Sequence, residues 1–203
     1  MKIDLLSLQL ERPASCNVVC RSTAMETQTH EIHPKNRIYE TITLRASRGR
    51  VWFAISDAKE FGAWFGASFD GPFAPGERVT GTITPTTVDP EVAAQQQPYA
   101  GMAMQIWIDQ IEPERLFSFR WHPFAVDEDA DFDAEPKTLV TFELKDDPDG
   151  VVLTITESGF NRLPPERRVK AFTANEQGWE KQLRLLQKYV GSQRFVNGSF
   201  RLS

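Results

Sequence analysis

Polar and apolar positions along the chain become regular from Arg37 onward. Ile38-Tyr39-Glu40-Thr41-Ile42-Thr43-Leu44 alternates with period two and is rich in β-branched and aromatic side chains, which predicts a strand. Ser47 stands as a helix N-cap before Val51-Trp52-Phe53-Ala54-Ile55, and Asp57 as a second before Glu60-Phe61-Gly62-Ala63-Trp64-Phe65, so two short helices follow. After them the pattern is strands alone: Glu77 to Thr84, Tyr99 to Ile111, Arg115 to Trp121, Thr138 to Lys145 and Val151 to Glu157. Asp146-Asp147-Pro148-Asp149-Gly150 reads as a hairpin turn within this meander. Two polar loops break it, from Pro85 to Pro98 and from Pro123 to Lys137.

In the last quarter the period changes. Val169, Phe172, Trp179, Leu183, Leu186 and Val190 recur at spacings of three and four, one apolar stripe on a long helix. Such a helix needs a sheet to cover its stripe. The rhythm from Phe172 to Trp179 places Glu176 on the buried face, either salt-bridged at the rim or part of a polar spot inside a cavity. The order of elements predicts an α+β fold: a curved antiparallel sheet of about six or seven strands wrapped on a long C-terminal helix, with two short helices after the first strand.

Composition narrows the function classes. The chain has 203 residues, 40% hydrophobic and 25% charged, enough for one domain with a full core. A net charge of −5 argues against nucleic-acid binding, which needs concentrated Lys and Arg. No apolar run approaches the ~20 residues of a membrane helix, and Asp4, Glu11 and Arg12 interrupt the start where a secretory signal would be unbroken. A cytoplasmic protein is expected. Cys16 and Cys20, with His30 and His33 nearby, match no zinc-site spacing. Residues 1–36 carry neither alternation nor helical period and are expected to form a poorly ordered extension, with Met25 as an alternative start; residues 192–203 are expected to be a tail. The loop acids Asp127, Glu128, Asp129, Asp131, Asp133 and Glu135 resemble a calcium loop. Phe132 stands where that loop requires Gly, and Thr138 where it requires a bidentate Glu, so no metal is expected.

The segment Ala46 to Trp52, Trp64-Phe65, Phe117-Ser118-Phe119-Arg120-Trp121, Ser158-Gly159-Phe160, and Gly178-Trp179 with Leu183 and Leu186 follow one another in an order that resembles the SRPBCC superfamily. That superfamily includes START domains, polyketide cyclases and the birch-pollen allergen. The narrower likeness is to the branch of the C-terminal domain of the activator of the heat-shock-ninety ATPase. The resemblance spans residues 37–191 and implies a helix-grip fold with an apolar pocket between sheet and long helix.

Strand alternation then names the expected lining. Met102, Met104, Ile106 and Ile108 point inward, as do Phe117, Phe119 and Trp121, then Val140, Phe142 and Leu144, and Val151, Leu153 and Ile155. With Trp64 below and Phe172, Glu176 and Trp179 from the helix, these residues make an adaptable apolar wall. The polar candidates for acid or base chemistry are Glu176 and His122, the latter at a strand end before Pro123. No nucleophile elbow, Walker loop or dinucleotide fingerprint occurs, and no cofactor is expected. Three functions follow: binding of a hydrophobic small molecule or lipid in the pocket, a cyclase or hydrolase using a pocket acid or base, and a chaperone-associated module with a protein partner.

Overall fold

The computed structural model describes residues 36–125, 132, 135–196 and 199–202. The expected extension, with Cys16, Cys20, His30 and His33, lies outside these residues apart from Asn36, and so do Asp127, Glu128, Asp129, Asp131 and Asp133. The first strand, β1 (Arg37–Leu44), buries Ile38 and Leu44 on one face. Helix α1 (Arg48–Ser56) starts at Ser47, whose hydroxyl accepts from the Arg50 amide. Asp57 ends α1 and caps α2 (Ala58–Phe65), accepting from the Lys59 and Glu60 amides at 3.0 Å each. Both predicted caps are therefore in place. The chain leaves α2 through Gly66 at φ +93°, a left-handed turn that glycine adopts without strain. Gly62 permits a second close approach: a Cβ there would lie 2.2 Å from the Ala67 carbonyl oxygen.

Strands β2 (Ala67–Phe69), β3 (Arg78–Ile83), β4 (Ala103–Glu112), β5 (Leu116–Trp121), β6 (Thr138–Asp147) and β7 (Gly150–Ser158) complete the sheet. Its order is β1-β7-β6-β5-β4-β3-β2, antiparallel throughout. Asp147 pairs with Gly150, so the β6–β7 hairpin turns on Pro148 and Asp149 as the sequence predicts. A bulge between Ile108 and Gln110 bends β4.

Two elements differ from the expected loops and tail. Helix α3 (Pro90–Gln96) occupies the first polar excursion, capped by Asp89 with Pro90 at its start. It buries no residue, so it carries no apolar period to betray it. At the other end β8 (Gln193–Val196) and β9 (Ser199–Leu202) pair as a two-stranded hairpin. The Asn197-Gly198 dipeptide between them is a hairpin signal in the sequence.

The long helix is α4 (Pro165–Ser192), and it packs on β1, α1 and α2. Phe172, Trp179, Leu183, Leu186 and Val190 are buried as expected. Val169 is not: it stands 70% exposed, because the buried face runs through Ala171, Phe172, Leu185 and Tyr189 instead. Sheet, α2 and α4 enclose a core in which Phe61 contacts Trp64, Phe65, Phe117, Phe119 and Phe142 with ring centroids 4.8–6.2 Å apart. The architecture is the expected helix-grip layout of a curved antiparallel sheet around one C-terminal helix.

Candidate functional site

Alternation along β7 turns Val151, Leu153 and Ile155 into the core, and one step further it turns in Glu157, fully buried. Five hydrogen bonds from four side chains converge on that carboxylate. Oε1 accepts from Trp121 Nε1 at 2.8 Å, Thr138 Oγ1 at 2.6 Å and Asn175 Nδ2 at 2.9 Å. Oε2 accepts from Trp179 Nε1 at 2.6 Å and Asn175 Nδ2 at 3.0 Å. The donors come from the end of β5, the start of β6 and the middle of α4, so the carboxylate ties the sheet to the helix. Burial raises the Glu157 pKa above the ordinary carboxylate range, and the four donors oppose that rise by favouring the anion.

Aromatic rings surround this polar point. Trp121 and Trp179 lie 5.5 Å apart, Phe142 and Trp179 5.8 Å, Phe119 and Trp121 5.7 Å, and Phe65 meets both indoles at 6.1 and 6.2 Å. Trp121 and Asn175 are only half-buried, so the cluster reaches the surface on their side.

Of the residues expected to line a pocket, Phe119, Trp121, Phe142 and Trp179 meet here. Ile106 and Phe117 are buried in the adjoining core, and Met104 packs partly buried against it. Trp64 is buried with its Nε1 donating to the Ala54 carbonyl at 2.8 Å, which ties α2 to α1. Phe172 packs on Phe160 with ring centroids 5.1 Å apart, toward the N-terminal end of α4. Met102 is displaced from the expected lining: it precedes β4 and is 40% exposed, because the inward face of that strand begins at Met104.

Neither acid–base candidate joins the cluster. Glu176 is half-exposed and approaches Glu40 of β1. The inward place between Phe172 and Trp179 belongs to Asn175, three residues after Phe172 rather than four. His122 sets its ring edge-on to Trp107 at 5.7 Å and near Phe132 at 5.8 Å. Trp107 alternates with the inward Ile106 and Ile108, so this histidine belongs to the outer face.

Two further buried cations stand apart from Glu157. Arg50 of α1 donates to Glu60 Oε2 at 3.2 Å; the Tyr189 hydroxyl donates to the same oxygen at 3.0 Å, and the guanidinium lies 4.8 Å from the Tyr189 ring centre. Arg167 of α4 pairs with Glu135 at 2.8 Å and donates to the Pro123 carbonyl at 3.1 Å. A groove of about 460 Å³ opens between β1, the β6–β7 turn and the end of α4, lined by Thr43, Arg45, Asp149, Gln187, Val190 and Gly191. None of the residues expected to line a pocket borders this groove. Among the described residues no three His, Cys, Asp or Glu side chains gather as a metal set, and no described helix is long and apolar enough to cross a membrane.

The family model described as activator of Hsp90 ATPase homolog 1-like protein matches residues 45–191. No curated protein sequence matches the chain. Among solved structures, a protein from Mesorhizobium loti is 19% identical, with a TM-score of 0.58 over 78% of this chain and 99% of its own. A protein from Bordetella parapertussis is 22% identical, with a TM-score of 0.53 over 88% of this chain and 83% of its own. DynU16, from the dynemicin biosynthetic locus, is 20% identical, with a TM-score of 0.55 over 77% of this chain and 48% of its own. At these identities the likeness is one of fold.

Proposed function

Since the chain belongs to the family of activator of Hsp90 ATPase homolog 1-like proteins, within the SRPBCC superfamily, we propose that it binds a hydrophobic small molecule between the sheet and α4. The observation that carries this reading is Glu157, a single buried carboxylate set among Phe65, Trp121, Phe142 and Trp179. Small-molecule sites combine mostly apolar walls with a few fixed polar groups, and this cluster has that composition. In the structure the rings pack on one another, so the ligand enters by parting them at the half-exposed Trp121 and Asn175.

The donor set favours an anchor over an acid–base catalyst. The four donors hold both carboxylate oxygens, and none of these partners is a titratable side chain that would exchange a proton with Glu157 near neutral pH. A chaperone-associated role needs an exposed apolar surface. The large exposed apolar side chains among the described residues, Tyr39, Met102 and Val169, are scattered singly.

Native mass spectrometry of freshly purified protein tests the reading directly, with a co-purified small molecule as the expected result. Titration with fatty acids, flavonoids and aromatic polyketides, followed by thermal shift, is expected to find at least one class that stabilises the fold. At a ligand concentration of about 100 times Kd the gain is about 2.7 kcal/mol. No co-purified mass together with no shift in any class overturns the proposal.

A further inference from the structure

Of the arginines that follow β1 and the aspartates of the β6–β7 turn, all but two are used within the fold. Arg48 pairs with Asp146 at 2.7 Å and donates to the Glu114 carbonyl at 2.7 Å. Arg50 donates to Glu60 at 3.2 Å. Asp147 Oδ1 accepts from the Asp149 amide at 3.0 Å and so closes the turn. Arg45 and Asp149 are left over. Both are exposed, and neither makes a side-chain hydrogen bond or ion pair with a described residue. They line one groove and do not pair with each other.

The backbone fixes this arrangement. Gly150 has φ +140°, and a Cβ there would lie 2.2 Å from the Leu44 carbonyl oxygen and 3.1 Å from the Arg45 Cα. Only glycine lets the turn close on the end of β1, which sets Asp149 beside Arg45. The opposite wall is the last turn of α4. Val190 there is buried and gives an apolar surface, and Gly191 leaves the wall bare, since a Cβ on it would meet no atom within 4 Å. Thr43 and Gln187 add a hydroxyl and an amide whose side chains bond to no described residue. The space of about 460 Å³ lies within the range of small-molecule sites. It sits about three helical turns beyond Trp179, apart from the Glu157 cluster.

We infer that this groove is a second binding site and that it takes an α-amino acid with an apolar side chain. The ligand carboxylate lies on the Arg45 guanidinium, whose planar fork suits two parallel hydrogen bonds, and the ammonium lies on the Asp149 carboxylate. An α-amino acid carries both charges on one carbon, close enough to bridge two neighbours that do not touch. A simple anion is repelled by Asp149 and a simple cation by Arg45. The apolar side chain lies against Val190, where Gly191 leaves room. This site goes beyond the function proposed above and shares no residue with the Glu157 cluster, so either can fail without the other.

Titration of the isotope-labelled full chain with L-leucine, followed by amide chemical shifts, tests it, with N-acetyl-L-leucine and L-leucinamide as ligands that each lack one charge. L-leucine is expected to bind with a Kd on the order of 1 mM, the range open to exposed charge contacts, and to shift the amides of Arg45, Asp149, Gly150 and Gly191. Both derivatives are expected to bind about fivefold more weakly. Arg45→Gln and Asp149→Asn are each expected to weaken L-leucine about fivefold with Tm unchanged, because both side chains are exposed. L-leucinamide has no carboxylate for Arg45, so Arg45→Gln is expected to bind it no more weakly than the parent does. Equal affinity of the parent for all three ligands, or parent-like binding of L-leucine by either variant, overturns the dipolar site. Shifts confined to the side of Trp121 and Trp179, or no saturable shift at all, also overturn it and leave the function proposed above standing.

Discussion

At the scale of single residues the chemistry is concentrated in Glu157. Replacing it by Gln keeps the shape but puts an amide donor where Oε2 stood, facing the N–H groups of Trp179 and Asn175. Leaving those donors without an acceptor is expected to destabilise the fold by about 1–3 kcal/mol, read from denaturant unfolding at pH 7. The cost has a pH dependence of known sign. Because the folded-state pKa of Glu157 lies above the unfolded one, its contribution is fully present below the unfolded value and is lost as pH rises through the folded one. The gap between parent and Glu157→Gln is therefore expected to widen as pH falls from 7 toward 5; a gap that narrows contradicts the raised pKa. Trp179→Ala removes both a ring of the cluster and one donor, and is expected to cost about 3–5 kcal/mol. Trp179→Phe separates the two terms by retaining most of the ring. Glu157 was legible in the sequence, since it continues the period of Val151, Leu153 and Ile155. It passes for the polar end of a strand because nothing in one sequence reveals that Trp121, Thr138, Asn175 and Trp179 converge on it.

At the scale of elements, caps and alternation carry most of the fold. Ser47, Asp57 and the turn at Pro148-Asp149 act where the sequence puts them, because each works through its immediate neighbours. The phase of α4 is less local. Phe172 and Trp179 fix the stripe, and both Asn175 and Glu176 fit between them at helical spacing; the partner on β7 decides, since Asn175 can donate to Glu157 and a second carboxylate cannot. Glu176 turns instead toward β1, where Glu40 lies partly buried with its pKa raised, first by burial and then by Glu180 and Glu176. Ionising Glu40 therefore opposes folding, and its favourable contribution is lost as pH rises above the ordinary carboxylate range. Glu40→Gln is expected to raise Tm at pH 7 and to leave it nearly unchanged at pH 4, as scanning calorimetry would show. A lower Tm at pH 7 would mean that Glu40 accepts a contact worth more than the repulsion. Helix α3 leaves no apolar period in the sequence for a different reason: Asp89-Pro90 starts it, but none of its seven residues is buried.

At the scale of the molecule, α4 is held to the sheet by apolar burial and to α2 and α3 by a row of polar ties. Gln182 donates to the Phe65 carbonyl, Tyr189 to Glu60, Lys181 to Gln95, and Lys188 pairs with Asp89 at the start of α3. The apolar side of the helix fixes the fold, while the ties from Lys181 and Lys188 hold α3 against α4. Lys188 is mostly exposed, so its pair with Asp89 contributes little to global stability. The same pair lowers the Asp89 pKa, chiefly through the hydrogen bond from Lys188 and the backbone amides of the cap. Its contribution is present above the ordinary carboxylate pKa and is lost as pH falls through the lowered one. Asp89→Asn keeps an oxygen for the α3 cap while removing the charge opposite Lys188. It is expected to leave Tm close to that of the parent and to lower amide-exchange protection in α3 without changing β6 and β7. Acid is expected to carry the parent's α3 protection factors toward the variant's and to leave the variant's own unchanged. Equal α3 protection in parent and variant at pH 7 would mean that the pair does not hold α3 to α4.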